Sequence, residues 1–395
     1  MAWEVEGLRL YIFVFAVSLV LIAIAEKQKS KKIFWILSVI ALLIPCLLAG
    51  FRNEHIGRDV LHYLKPMTDL AINSKTIGDF FSGSWPISYG VMHTASLEYG
   101  FTGLIYIFTK ITRSLPAVQF LVSAMILVPV YIALARNREK APLWLGMAVF
   151  YLLFYNGTLN LMRQWAATAL LVLAFQLLLE RKWILGVAIS AVAVGLFHYS
   201  GALMAALFLM YGVLCLLQKT QLTPCIKGKK RVVSGQFVAC GVIVIGSVFL
   251  VFNLPLVMEI LRAIGLGRFV NYINGAPMEL MPKEIFLRLP LLVMFLLGWK
   301  NWYAADKAAP FYFTVMILDV VSSQLTSVNP YTYRIGIYFS VFTLFSLPSY
   351  FSSLKKGGVK IAVGAFLLFY LLSYWGYLHT YLFLHQTYPY MSILR

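Results

Sequence analysis

Charge is scarce in this sequence, and acidic charge most of all. Only 15 of its 395 residues are Asp or Glu, and residues of either sign make up 12%. An ordinary soluble surface is excluded by that figure, since soluble chains carry roughly 25% charged residues. The 4 cysteines, Cys46, Cys215, Cys225 and Cys240, stand far apart with no metal-ligand or redox spacing. They read as thiols in membrane-embedded or inward-facing positions. There is no P-loop, no dinucleotide fingerprint and no Ser-His-Asp order, so any energised donor comes from something other than ATP. Internal repeats, low-complexity tracts and a separable soluble domain are also lacking. The tripeptide Ala23-Ile24-Ala25 has the look of a signal-peptidase site, but Glu4 and Glu6 outweigh Arg9 where a positive segment would be needed. Residues 8–25 are therefore expected to stay as a first helix with its N-terminus outside.

What is abundant is apolar. Hydrophobic residues make up 61% and aromatic ones 15%, with a mean hydropathy of +0.81. Runs of roughly 16–20 apolar residues recur along the whole length, each enough to cross about 30 Å of hydrocarbon as a helix. The fold class is an all-α polytopic membrane protein forming a single integral membrane domain over residues 1–395. The net charge of +18 does not imply nucleic acid, because no basic stripe lies on a soluble domain. It falls in short loops, where Lys and Arg mark the inner side. Twelve crossings follow: residues 8–25, 33–50, 116–135, 143–156, 160–179, 183–198, 201–217, 236–252, 285–299, 311–324, 334–350 and 361–377. Both termini are then outside. Residues 98–113 are too short and too basic at their end to fit the alternation, and are expected as a re-entrant or interfacial helix on the outer side, packed on protein. Outer segments 51–115 and 253–284 are expected to cover a site.

The chain is organised around residues 52–63, where two Arg, Glu54, Asp59 and two His follow directly on an apolar run. Inner-loop positive charge is clustered and Lys-rich, whereas outer positive charge is mostly Arg, including Arg52, Arg58, Arg163 and Arg334. Topology does not call for these. Snorkelling explains any one of them, but several together suit a diphosphate, because the planar guanidinium binds phosphate through two N–H groups and keeps its charge at low dielectric. His198 lies close to the membrane depth, where ionisable groups face the bundle interior or a wet cavity. Asp59, Glu98 and His198 are the acid–base candidates, each with a plain alternative: counter-ion to Arg, helix cap and packing histidine, respectively. The outer carboxylates show no Asp-x-Asp spacing, and no metal is expected. Outer tyrosines such as Tyr63 and Tyr333 suit either an interfacial belt or a sugar platform.

Phe51-Arg52-x₃-Ile56-Gly57-x-Asp59-x₃-Tyr63 resembles the motif after the second helix of EpsG/Wzy-like polysaccharide polymerases. Glu98-Tyr99-Gly100-Phe101, Met162-Arg163-Gln164, Phe197-His198-Tyr199-Ser200, Tyr333-Arg334 and Tyr388-Pro389-Tyr390 follow in the family's order. Arg58 departs from the family's small hydroxyl residue, and Tyr99 from its proline. The resemblance implies a metal-independent membrane glycosyltransferase of GT-C-like architecture, without cofactors, in the bacterial inner membrane. It would transfer a growing glycan from undecaprenyl diphosphate onto a new lipid-linked repeat unit on the periplasmic face. It further implies that Arg52, Arg58, Arg163, Gln164, Arg334, Tyr333 and Tyr63 contact substrate and that Asp59, Glu98 or His198 is the base. Partners would be undecaprenyl-diphosphate-linked glycans, membrane lipids, a flippase and a chain-length regulator. A glycan ligase and a lipid-linked sugar transporter are the rival functions. A membrane acyltransferase would need its histidine on the opposite side.

Overall fold

The computed structural model describes residues 2–88, 90–222, 225–226, 229–230, 233–263, 270 and 278–394. Most of the described backbone is helical, and the chain is an all-α polytopic membrane protein. Among the described residues, six helices are long and apolar enough to cross a membrane: Gly7–Glu26, Lys31–Gly50, Leu115–Arg136, Met162–Leu179, Tyr199–Leu217 and Gly358–Tyr381. Three bent pairs raise the number to nine if each is one span. These are Gly235–Val251 with Leu254–Ala263, Pro282–Leu297 with Trp299–Ala305, and Pro330–Ser340 with Thr343–Ser353. Two more of the twelve expected crossings fall on the shorter apolar helices Leu143–Thr158 and Trp183–Phe197. The remaining one falls on Ala309–Ser323, which has 15 residues. The expected turn near residue 83 leads into a small antiparallel hairpin, Ser84–Ile87 with Gly90–His93. Much of the expected second outer segment, with Arg268, lies outside the described residues, as do Tyr89 and Arg395.

The helices gather into two compact units: Met1–Ala202 with Ala362–Arg395, and Leu203–Ile361. In the first unit, buried hydroxyls tie helix to helix. Pro45 has no N–H, so the Ala41 carbonyl four residues earlier loses its helical partner. The Ser18 hydroxyl, on the neighbouring helix, donates to that carbonyl at 2.8 Å and meets the Tyr151 hydroxyl at 2.8 Å. The Tyr155 hydroxyl donates to the Pro45 carbonyl at 2.5 Å. Such bonds matter in a setting where an unpaired polar group has no water to turn to.

The loops of this unit sort to opposite ends of its helices. At one end, Glu26 accepts from the N–H groups of Leu143 at 2.9 Å and Trp144 at 3.3 Å. There too Arg136 grips Glu180 through two guanidinium nitrogens, with its Nε at 2.7 Å, and Arg138 lies 4.0 Å over the Phe34 ring. The opposite end collects residues 51–63, 98, 157–163, 198 and 385–393.

In the second unit, Ala309–Ser323 is largely buried. Trp302 stacks on Phe295 at 4.4 Å and donates to the Ser349 hydroxyl at 3.0 Å, which braces the bend between Pro282–Leu297 and Trp299–Ala305.

Candidate active site

Glu98 precedes the helix Tyr99–Thr112, whose 14 residues fit the expected non-crossing segment. It occupies the N-cap position, yet its side chain makes no capping bond. Its carboxylate turns instead toward two other elements. One oxygen accepts from Arg163 Nη1 at 2.6 Å, and the other meets His198 Nδ1 at 2.7 Å. The carboxylate is 7% exposed, Arg163 21% and His198 25%. Arg163 lies 4.9 Å over the Tyr63 ring. Tyr63, Glu98, Arg163 and His198 thus converge, though 65 residues separate Glu98 from Arg163 and 100 separate it from His198.

Local backbone puts these side chains in place. Tyr63 lies in the π-helical turn Val60–Leu64, and a second such turn, Ala193–Phe197, ends directly at His198. π-turns shift side-chain direction within a helix and are frequent at functional sites. At its end the backbone of His198 is extended, with φ −165° and ψ 115°, which releases the imidazole from the helix. The two elements approach closely because residue 100 is glycine: a Cβ there would stand 2.6 Å from the Leu196 carbonyl oxygen.

Burial disfavours the charged form of Glu98, but the hydrogen bond from His198 and the charge of Arg163 outweigh it. Its pKa is held down at about 2. At neutral pH Glu98 is therefore a fixed carboxylate between two donors.

A second group surrounds Arg52, which is only 2% exposed. Its Nη2 reaches the Met162 sulfur at 3.7 Å, while its Nε is buried without a hydrogen-bond partner among the described residues. Burial lowers its pKa; the tyrosines 155, 11 and 390 and then the Asp59 carboxylate oppose that shift. Asp59 is half-buried, and its N–H donates to Asn160 Oδ1 at 3.2 Å. Arg58 is exposed and donates to Gln386 at 3.0 Å. Gln164 is buried. Glu54 pairs with Lys65 at 2.7 Å, so part of the polar run at 52–63 is ordinary surface pairing.

The turn at residues 159–161 and the helix start that follows it join the two groups. Asn160 holds Asp59, Met162 holds Arg52 and Arg163 holds Glu98. Gly57, at φ +83°, lies against this turn, and a Cβ on it would stand 2.5 Å from the Leu159 carbonyl oxygen. Sequence reasoning passed over Asn160, whose amide is a buried hydrogen-bonding group at the mouth of an apolar run.

Tyr333 and Arg334 belong to the second unit, where Arg334 lies 5.5 Å over the Tyr331 ring. The same unit contains a charged cluster missed in the sequence. Arg288 binds Asp319 at 2.5 Å and Glu284 at 2.8 Å. Asp319 is 6% exposed and adjoins Gly336, where a Cβ would stand 3.1 Å from its Oδ1. A lone acid inside an apolar helix was the signal for it. No group of three or more His, Cys, Asp or Glu among the described residues is arranged to hold a metal ion.

No curated protein and no solved structure gives a significant match to the chain. The EpsG family model matches it over residues 35–392, a span that takes in Tyr63, Glu98, Arg163 and His198. The chain belongs to the EpsG family.

Proposed function

We propose that the protein is a polymerase of lipid-linked glycan repeat units, working in the bacterial inner membrane with its site on the outer face. It transfers the growing glycan from undecaprenyl diphosphate to the non-reducing end of a new lipid-linked repeat unit, within a GT-C-like helical frame. The observation that carries this reading is the convergence of Glu98, Arg163 and His198 in a chain of this family. The reaction needs a cation for the departing diphosphate and a base for the acceptor hydroxyl. Both lie within one cluster here. Arg163 uses one nitrogen on Glu98, and its other N–H groups have no hydrogen-bond partner among the described residues. A guanidinium held in this way meets developing negative charge without reorganising.

The other candidates divide by burial. Arg58 is exposed and suits a polar contact with the lipid-linked substrate. Tyr63 supplies an aromatic face beside Arg163. Arg52, buried with its Nη2 on the Met162 sulfur, suits a structural role in the loop better than a ligand role. Tyr333 and Arg334 are assigned to substrate on the family resemblance alone.

The test is glycan chain length on a gel, from cells in which the native copy is replaced by Arg163→Ala at equal protein level. The ladder should collapse toward single repeat units, with a rate loss of roughly 10²-fold. Full-length polymer would overturn the diphosphate role. Free, uncapped polymer of normal length would instead point to a glycan ligase.

A further inference from the structure

Two of the three candidates for the base, Glu98 and His198, share one cluster, and their geometry separates them. Resting on the polymerase reading, we infer that His198 is the group that takes the proton of the acceptor hydroxyl, through Nε2, and that Glu98 is a positioning residue acting through it. Glu98 has both oxygens engaged, one by Arg163 and one by His198, and is 7% exposed. With each oxygen held by a neighbour, the carboxylate is turned away from a substrate. Its low pKa agrees, because a weak base at neutral pH gains little from accepting a proton. Asp59 lies outside this cluster, and its N–H is held by Asn160. His198 differs from Glu98: Nδ1 is bound to Glu98, while Nε2 has no hydrogen-bond partner among the described residues, and the ring is 25% exposed.

The Glu98 contact fixes the ring chemically as well as spatially. A carboxylate at Nδ1 requires the proton to sit there, which leaves the Nε2 lone pair outward and ready to accept. When the acceptor oxygen attacks the anomeric carbon of the donor sugar, a new C–O bond forms. The bond from that carbon to the diphosphate oxygen breaks, its electron pair leaving with the diphosphate. The acceptor proton passes to His198 Nε2. The resulting imidazolium faces the Glu98 carboxylate, which stabilises it, and it returns the proton to solvent after turnover. Arg163 has two duties: it anchors the far oxygen of Glu98 and turns its remaining N–H groups toward the leaving group.

The experiment uses the purified full chain in detergent, with lipid-linked repeat units extracted from cells deleted for this gene. Rates are expressed per folded molecule. His198→Asn keeps a nitrogen donor where Nδ1 stood, so Glu98 stays bonded while the base is gone. Its kcat should fall about 10²–10⁴-fold, with its melting temperature close to the parent's. Glu98→Gln should also lower kcat. In the His198→Asn background, Glu98→Gln should add no more than about threefold, because residues acting as a unit do not multiply. A His198→Asn kcat within about threefold of the parent, or losses that multiply in the double variant, would overturn the assignment. A parent protein that makes no polymer in this assay would instead remove the polymerase reading itself.

Discussion

Single residues decide the site by what they lack. Gly57 lacks a Cβ, which lets a backbone at φ +83° lie against the Leu159 carbonyl oxygen. Alanine would place an atom 2.5 Å from that oxygen and force a left-handed residue as well. The cost expected for Gly57→Ala is of order 1–3 kcal/mol. It should appear as a lower melting temperature in detergent together with shortened glycan, since the helix start that follows the 159–161 turn carries Arg163. An unchanged melting temperature would mean that the loop relaxes freely. Glu98 shows the complementary case, a residue whose position suggests one role and whose side chain takes another. At a helix start a carboxylate ordinarily caps the N–H groups or meets the helix dipole. Here its oxygens leave the helix for Arg163 and His198, because Gly100 brings the Ala193–Phe197 turn within reach.

Among the elements, the C-terminal tail does more than its polarity suggests. The N–H of Asn53 donates to the Met391 carbonyl at 2.8 Å, and that of Ile393 to the Phe51 carbonyl at 3.0 Å, so the tail pairs with the loop that carries Arg52. The Tyr390 hydroxyl donates to the Leu48 carbonyl at 2.8 Å, and the Tyr11 hydroxyl to that of Thr387 at 2.8 Å. Tyr390→Phe removes one bond and leaves a buried carbonyl, a loss of about 1 kcal/mol. Limited proteolysis of that variant should cut faster near residues 53–59 than in the parent, and equal rates would show that the tail does not hold the loop. These pairings explain why the sequence was only partly legible. Apolar runs mark helices directly, so the helical class and the short helix after Glu98 could be read from composition and length. The span count could not, because a bend such as the 98° one after Val251 depends on packing. Glu98, Arg163 and His198 could each be singled out by charge near a helix end, but not as partners across 65 and 100 residues. Arg52 stood out by its charge, and only the fold reveals that its side chain is buried.

For the whole molecule, the carboxylates set the response to acid. Glu98 and Glu180 lie outside the crossing helices, and both have pKa values lowered to about 2 from the usual 4.5. For Glu180 the main cause is the hydrogen bond from Arg136. For Glu98 it is the net result of burial, which opposes ionisation, against His198 and Arg163, which favour it. A group with a depressed folded pKa binds fewer protons in the folded state than in the unfolded one. Its contribution is therefore complete above the unfolded value and declines as pH falls toward the folded value. Melting temperature in detergent should accordingly be flat from neutral pH down to about 5 and then drop steadily toward pH 2–3. Because the two pairs sit at opposite ends of the first unit and share no partner, their effects should be nearly independent. Glu98→Gln and Glu180→Gln should each lower the neutral-pH plateau and flatten the acid slope, and the double variant should flatten it most. A slope between pH 5 and 3 that is identical in the parent and the double variant would place the acid-sensitive groups elsewhere.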